Sequence, residues 1–323
     1  MARAIRVHQA GGPEVLTYET VDVGSPGPGE ARIRQTAIGL NFIDVYHRTG
    51  LYPMAFPFIP GMEGAGEVLE LGAGVTGLKA GDRVAYAGVI GGYADERLIA
   101  AEKLVKVPAS IDDRTAAAMM LQGMTAQFLL KRTFKVGPGT TLLFHAAAGG
   151  VGLMACKWAA HLGATVIGTV GSKEKAVLAK ANGCAHVIET GTENFVERVR
   201  EITGGKLCDV VYDSVGKDTF PGSLDCLKPM GLWVSFGQSS GVIPPFSLSI
   251  LSQKGSLFAT RPTMMTYTAK REDLDAIAAD LFDIVAKGVL KISINQEYPL
   301  SAAADAHRDL EARKTTGSTI FTT

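Results

Sequence analysis

Thr141-Leu-Leu-Phe-His-Ala146 reads as a buried strand, and Ala146-x-x-Gly149-x-x-Gly152 follows it and opens a helix. The spacing suits a particular chemistry. Ala146 is small enough for a tight turn, Gly149 lets the main chain approach a pyrophosphate, and Gly152 lets the helix pack closely on its strand. The unpaired N–H groups of the helix start, Gly150 and Val151 among them, then face anionic oxygens at the positive end of the helix dipole. The next strand end reads Thr169-Val-Gly171-Ser172-Lys173-Glu174-Lys175. NAD enzymes place a carboxylate there for the ribose hydroxyls. Here a hydroxyl and two ammonium groups stand instead, which suits a 2′-phosphate, so NADPH is the expected cofactor. Glu174 is expected to face away from that position, one step along the helix. Lys173 and Lys175 also fit a second reading, as solvated helix residues.

The other reactive side chains point less sharply. Cys156, Cys184, Cys208 and Cys226 form no Cys-x-x-Cys pair and read as small core residues. His145 lies inside a strand and reads as a satisfied buried histidine. Charged residues make up 20% of the chain and the formal net charge is zero, so the basic footprint of a nucleic-acid binder is absent. No apolar run is long enough to span a bilayer, and Met1-Ala-Arg-Ala-Ile-Arg-Val lacks the apolar core of a signal peptide. No nucleic-acid partner and no membrane association are expected, and the expected location is cytoplasmic.

These groups need a scaffold, and 323 residues exceed one ordinary core, so two domains are expected. The first third alternates short β runs with Gly/Pro turns, as in Pro26-Gly-Pro-Gly-Glu and Leu71-Gly-Ala-Gly. A helix begins near Asp112. After Gly137-Pro-Gly, apolar runs at 141–146, 165–170, 186–188, 209–213 and 232–236 alternate with helical segments at 151–162, 173–182, 195–202 and 219–227. Such alternation predicts a parallel sheet covered on both faces. Residues 253–260 read as its edge strand. Arg271–Gly288 reads as an amphipathic helix, 292–298 as a strand, 302–313 as a helix, and the final strand is expected to return to the first domain. The expected fold class is α/β: a Rossmann doubly wound parallel-sheet domain at 122–261, plus a β-rich domain at 1–121 and 262–323.

Asn41-Phe-Ile-Asp-Val-Tyr46, Gly61-Met-Glu-Gly-Ala-Gly-Glu-Val68, Gly81-Asp-Arg-Val, the alanine–glycine turn and Val211-Tyr-Asp-Ser-Val-Gly216 occur in order. Phe236-Gly-Gln-Ser-Ser-Gly241 and Gln253-Lys-Gly-Ser-Leu-Phe-Ala-Thr-Arg-Pro262 follow. Together they resemble the medium-chain dehydrogenase/reductase superfamily over essentially the whole chain, and most closely its zinc-free, zeta-crystallin-like NADPH:quinone oxidoreductase branch. The resemblance implies that the β-rich domain is GroES-like and that NADPH reduces a quinone in an interdomain cleft. It also implies a homodimer, paired through the edge-strand segment.

The alcohol dehydrogenases of that superfamily hold zinc with cysteine and histidine. This chain has Asn41, Met62 and the segment Leu121-Gln-Gly-Met in or near those places. An amide and a thioether are poor zinc ligands. Without a Lewis acid an alkoxide is little stabilised, so hydride delivery to an electron-poor acceptor is favoured over alcohol oxidation. The resemblance assigns Asn41 and Tyr46 to the nicotinamide and substrate, and Tyr52 to the substrate cleft. A tyrosine hydroxyl there can donate to a carbonyl oxygen; Tyr52 reads equally well as an amphipathic wall residue. It assigns Ala146, Gly149, Gly150, Val151, Gly152, Gly171, Ser172, Lys175, Ser214, Phe236, Gly237, Ser239, Ser240, Thr263, Met264, Met265 and Arg313 to the cofactor. Thr190 departs from relatives that carry a tyrosine near the adenosine. Two alternatives stay open: an NADPH-dependent reductase of α,β-unsaturated aldehydes or ketones, and a non-catalytic NADPH-binding protein.

Overall fold

The computed structural model describes residues 1–323. The chain forms two compact units, Met1–Met124 with Thr268–Thr323, and Thr125–Tyr267.

The second unit is built on six strands: Thr141–Phe144, Thr165–Val170, His186–Glu189, Cys208–Asp213, Leu227–Ser235 and Phe258–Thr260. Numbered along the chain, they lie side by side in the order 3-2-1-4-5-6, and every pairing is parallel. This is the doubly wound dinucleotide-binding order, with its switch point beside the first strand. The strands carry apolar runs because helices bury them. Leu143, Ile167, Ile188, Val211 and Trp233 share one core with Val199 of the helix Phe195–Ile202.

Two elements differ from the sequence expectation. The helix expected at 219–227 shrinks to Gly222–Asp225. Pro221 bars the α conformation for the residue before it and has no N–H to give to a ladder. The strand expected from Gln253 starts only at Phe258, and Gln253 closes the short helix Ser249–Gln253. Between them Gly255 and Ser256 turn through positive φ (109° and 56°), which ends extended pairing.

The first unit carries a seven-stranded sheet. Its main path runs Ile294–Pro299, Ser318–Thr322, Glu30–Leu40, Glu63–Leu71, Arg83–Ala87 and Val105–Lys106, with Glu96–Ala100 also pairing to Glu30–Leu40. The C-terminal strand closes against the N-terminal part, Thr319 opposite Leu40 and Thr322 opposite Ala37. Alternation along Glu30–Leu40 sends Ala31, Ile33, Gln35 and Ala37 inward. The buried Gln35 amide is paired: Nε2 donates to Gly92 O at 2.7 Å, and Oε1 accepts from Tyr86 at 2.6 Å.

Candidate functional site

In the second unit the turn after the first strand is made of main chain. Ala146 sits at φ 54°, a left-handed conformation in which a single methyl is the smallest side chain an L-residue can carry. Its carbonyl accepts from Gly149 N at 2.9 Å. A Cβ on Gly152 would stand 2.7 Å from the Ala147 carbonyl carbon, inside contact distance of rigid backbone, so only glycine fits. A Cβ on Gly149 would come no nearer than 3.3 Å to the Ala146 carbonyl oxygen. Gly149 caps the helix Gly150–His161 without a side-chain bond, and the intrahelical ladder opens with Leu153 N to Gly149 O at 2.9 Å. The N–H groups of Gly150, Val151 and Gly152 precede that ladder and suit phosphate oxygens. This backbone cradle fits a dinucleotide pyrophosphate.

His145 is buried and held on both sides. Ser223 Oγ donates to Asp213 Oδ2 at 2.7 Å, so it accepts from His145 Nε2 at 3.1 Å. Nδ1 then takes a bond from the Thr169 hydroxyl at 3.0 Å. Burial lowers the histidine pKa, keeping the ring neutral, with Asp213 opposing. Asp213 also accepts from Val215 N (2.9 Å) and Gly216 N (3.1 Å), fixing the turn after its strand. His145 therefore braces three strand ends.

The second strand ends at Val170, and Gly171 has nothing within 4 Å of a would-be Cβ. Ser172 caps the helix Lys173–Ala181, accepting from Lys175 N at 3.4 Å. Lys175 is half-buried, while Lys173 and Glu174 are exposed. Glu174 does not face away: the nearby Ser172 hydroxyl is the main influence lowering its pKa. The helix start curls the chain so that residues two apart meet at the cap. Thr190 places its hydroxyl on the Val170 carbonyl at 3.2 Å, bracing the same strand end.

The loops after the fourth and fifth strands are laced together. A Cβ on Gly237 would lie 2.7 Å from Ser214 O. Ser239 N donates to Ser214 O (3.1 Å), and Ser240 Oγ to Val215 O (2.8 Å). Phe236 packs on Phe144 with ring centroids 5.7 Å apart. Arg261 was missed from the sequence; its Nη1 donates to Ser235 Oγ (3.0 Å) and Gly237 O (2.9 Å), holding the loop that carries Phe236 and Gly237. The only sequence signal was its place in the quoted Ala-Thr-Arg-Pro run. Thr263 pairs with Thr266 at 3.0 Å, Met264 is buried and Met265 is exposed. Arg313 belongs to the first unit, beyond the helix Ala303–Glu311, at φ 59°.

In the first unit Asn41, Tyr46 and Tyr52 are brought together by one short helix, Phe42–Arg48, and the turn after it. Tyr52 N donates to Tyr46 O at 3.1 Å, and the two rings meet edge-on with centroids 5.2 Å apart. Asn41 N donates to Asp44 Oδ2 at 2.9 Å, fixing the helix start.

Two carboxyl groups that the sequence reading did not single out complete this region: Asp44 on the helix itself and Glu63 at the start of the strand Glu63–Leu71. Asp44 also accepts from Tyr93 at 2.8 Å. Arg48 donates to His307 Nδ1 at 3.0 Å, so Nε2 carries the hydrogen toward the Tyr93 oxygen at 3.0 Å. Arg48 also grips Glu311 with two bonds of 2.8 and 2.9 Å. Glu63 accepts from Asn41 Nδ2 and from Leu121 N, each at 2.6 Å. Burial raises Asp44 to about 7 and Glu63 to about 8, against the pull of their hydrogen bonds. Burial and the Arg48 charge push His307 down to about 3. A glutamate inside Met-Glu-Gly-Ala-Gly at a strand start was the one available signal.

Zinc does not fit this pocket. The Asn41 amide is bonded to Glu63 and Gln122, Met62 offers a buried thioether, and no three His, Cys, Asp or Glu side chains converge to hold a metal.

Known proteins share this arrangement. The alcohol dehydrogenase GroES-like domain family matches residues 27–109, and the zinc-binding dehydrogenase family matches 150–282. A quinone oxidoreductase of Pseudomonas aeruginosa is 53% identical over 325 residues, covering 99% of each chain. The chain belongs to the quinone oxidoreductase family of the medium-chain dehydrogenases/reductases. A 2-haloacrylate reductase of a Burkholderia species is 49% identical, again over 99% of each chain. The crystal structure of Escherichia coli quinone oxidoreductase complexed with NADPH superposes with TM-score 0.98 at 48% identity, covering all of both chains.

Proposed function

We propose that this protein is an NADPH-dependent reductase of quinones that works without a metal ion. The observation that carries the reading is the whole-length relation to a quinone oxidoreductase at 53% identity. The glycine turn and the lack of a carboxylate on the second strand support it. When bound, NADPH supplies a hydride. The main-chain N–H groups of Gly150, Val151 and Gly152 hold the pyrophosphate, with Ala146 and Gly149 shaping the turn. Gly171, Ser172 and Lys175 hold the 2′-phosphate. Ser214, Phe236, Gly237, Ser239, Ser240, Thr263, Met264, Met265 and Arg313 complete the cofactor's surroundings. Asn41, Tyr46 and Tyr52 orient the nicotinamide and acceptor, and a tyrosine hydroxyl donates toward an acceptor oxygen that gains charge. The test is stopped-flow oxidation of NADPH by a panel of quinones; no turnover with any quinone overturns the reading.

The relation to a 2-haloacrylate reductase favours a second reading, reduction of electron-poor carbon–carbon double bonds. Turnover of 2-haloacrylate or enones in the same assay, with quinones inert, would establish it. The working form we propose is a homodimer. The edge strand Phe258–Thr260 has an open side, and Phe258, Leu248 and Met230 of the same unit are exposed. A sedimentation mass of one chain contradicts it. Four free, buried cysteines suit a reducing cytoplasm.

A further inference from the structure

Glu63 is fully buried, and both its oxygens are committed. One accepts from the Asn41 side-chain amide, the other from Leu121 N within the helix Asp113–Phe128. The neighbouring strand is shaped for it. A Cβ on Gly39 would strike Glu63 Oε1 and stand 2.5 Å from its carboxyl carbon, so glycine leaves the space the carboxyl group fills. The other end of the Asn41 amide is held as well. Gln122 Nε2 donates to Asn41 Oδ1 at 3.2 Å, and Gln122 Oε1 accepts from Ser318 at 2.8 Å. Every one of these residues lies in the first unit.

An asparagine amide can turn over and exchange its donor for its acceptor. Here Glu63, which offers acceptors, meets the NH₂ end, and the Gln122 donor meets the oxygen. We propose that Glu63 is a positioning residue for the reduction, acting through Asn41 by fixing which end of its amide is donor and which is acceptor. The proposal rests on the reading that Asn41 addresses the nicotinamide and acceptor. A glutamine at 63 has one acceptor oxygen and cannot serve both Asn41 Nδ2 and Leu121 N. Either the helix loses its partner, or the NH₂ of the glutamine faces Asn41 and favours the reversed amide.

The experiment is a double-mutant cycle with Glu63→Gln and Asn41→Ala, run at a pH above about 8 where the Glu63 carboxyl is ionised and both its oxygens accept, and read as kcat and as KM for NADPH. Glu63→Gln is expected to lower kcat about tenfold with KM for NADPH changed less than about twofold. In the Asn41→Ala background the same substitution should cost nothing further. Equal losses in both backgrounds, or an unchanged kcat in Glu63→Gln, overturn the proposal. An Asn41→Ala variant with unchanged turnover overturns the reading of Asn41, and the proposal with it. A third measurement does not depend on a variant folding: NMR of the Asn41 side-chain amide in the native protein. Its NH₂ protons are expected to exchange with solvent at least about tenfold more slowly than those of a free asparagine; exchange at the free rate overturns the proposal whatever the kinetics show.

Discussion

In the second unit the glycine turn offers a ligand little but main chain. Its specificity lies in the absence of side chains, Gly152 above all, and it stands at the end of a strand whose neighbours are apolar. In the first unit the corresponding work falls to side chains. Asn41 caps one short helix, Tyr46 sits on it and Tyr52 follows it, with Asp44 and Glu63 beside them as two buried carboxyl groups with raised pKa values. The first arrangement presents main-chain groups that do not titrate, and it admits no added atom at Gly152. The second depends on charge and hydrogen-bond direction as well as on space, as at Gly39.

The sharpest way to break that contrast is a glycine pair. Gly152→Ala should raise KM for NADPH more than about a hundredfold or prevent folding, because its methyl meets rigid backbone. Gly149→Ala, with 3.3 Å of clearance, should raise KM for NADPH less than about tenfold. Equal effects of the two substitutions on KM, or on the dissociation constant read by fluorescence titration with NADPH, would remove the steric account of the turn. Next in size, Gly39→Ala should displace Glu63 and lower kcat about tenfold while leaving the NADPH dissociation constant within about twofold. A variant that loses cofactor affinity instead would show that the two units do not divide the work in this way.

Stability against pH sharpens the comparison further. Asp44 and Glu63 have folded pKa values above their unfolded ones, so their contribution is complete below about pH 4 and is lost as pH rises through about 7 and 8. His145, His47 and His307 are shifted down, so their contribution is lost as pH falls below about 6.5. The two sets oppose each other between about pH 4 and 6.5, and only the carboxyl groups titrate above it. Urea denaturation should therefore show stability falling by on the order of 1–2 kcal/mol from pH 6.5 to 8. Asp44→Asn should flatten that fall, and a slope unchanged in this variant would remove Asp44 from the account. The smallest effect is expected at Glu174. Its carboxylate shares Ser172 with the proposed 2′-phosphate site, so Glu174→Gln should lower KM for NADPH about two- to threefold. An increase would mean that Glu174 helps to hold Ser172 in place.

Much of the fold was legible because its signals are local. The apolar runs, the turn glycines and the helix Phe195–Ile202 could be read directly, since each depends on near neighbours in the chain. Where the reading went astray, a local breaker was underweighted: Pro221 cut short one helix, and Gly255 with Ser256 delayed the edge strand. The site was less evenly legible. Glu174 was placed facing away because helical spacing was applied at a helix cap, where the chain is still turning in. Arg261, Asp44 and Glu63 were not singled out, because what makes each of them matter is a partner far away in sequence.

The sequence alone determined the backbone turn at Ala146–Gly152, the parallel order of alternating strands and helices, and the lack of a carboxylate at the end of the second strand. These follow from short-range sterics and periodicity, which a linear chain displays. Only the tertiary structure decided that Asn41 lies against Glu63, 22 positions away, and Gln122, 81 positions away. It also decided that His307 meets Arg48 across 259 positions. Burial sets the protonation of such groups and long-range pairing sets their orientation, and neither exists until the sheet has closed around them.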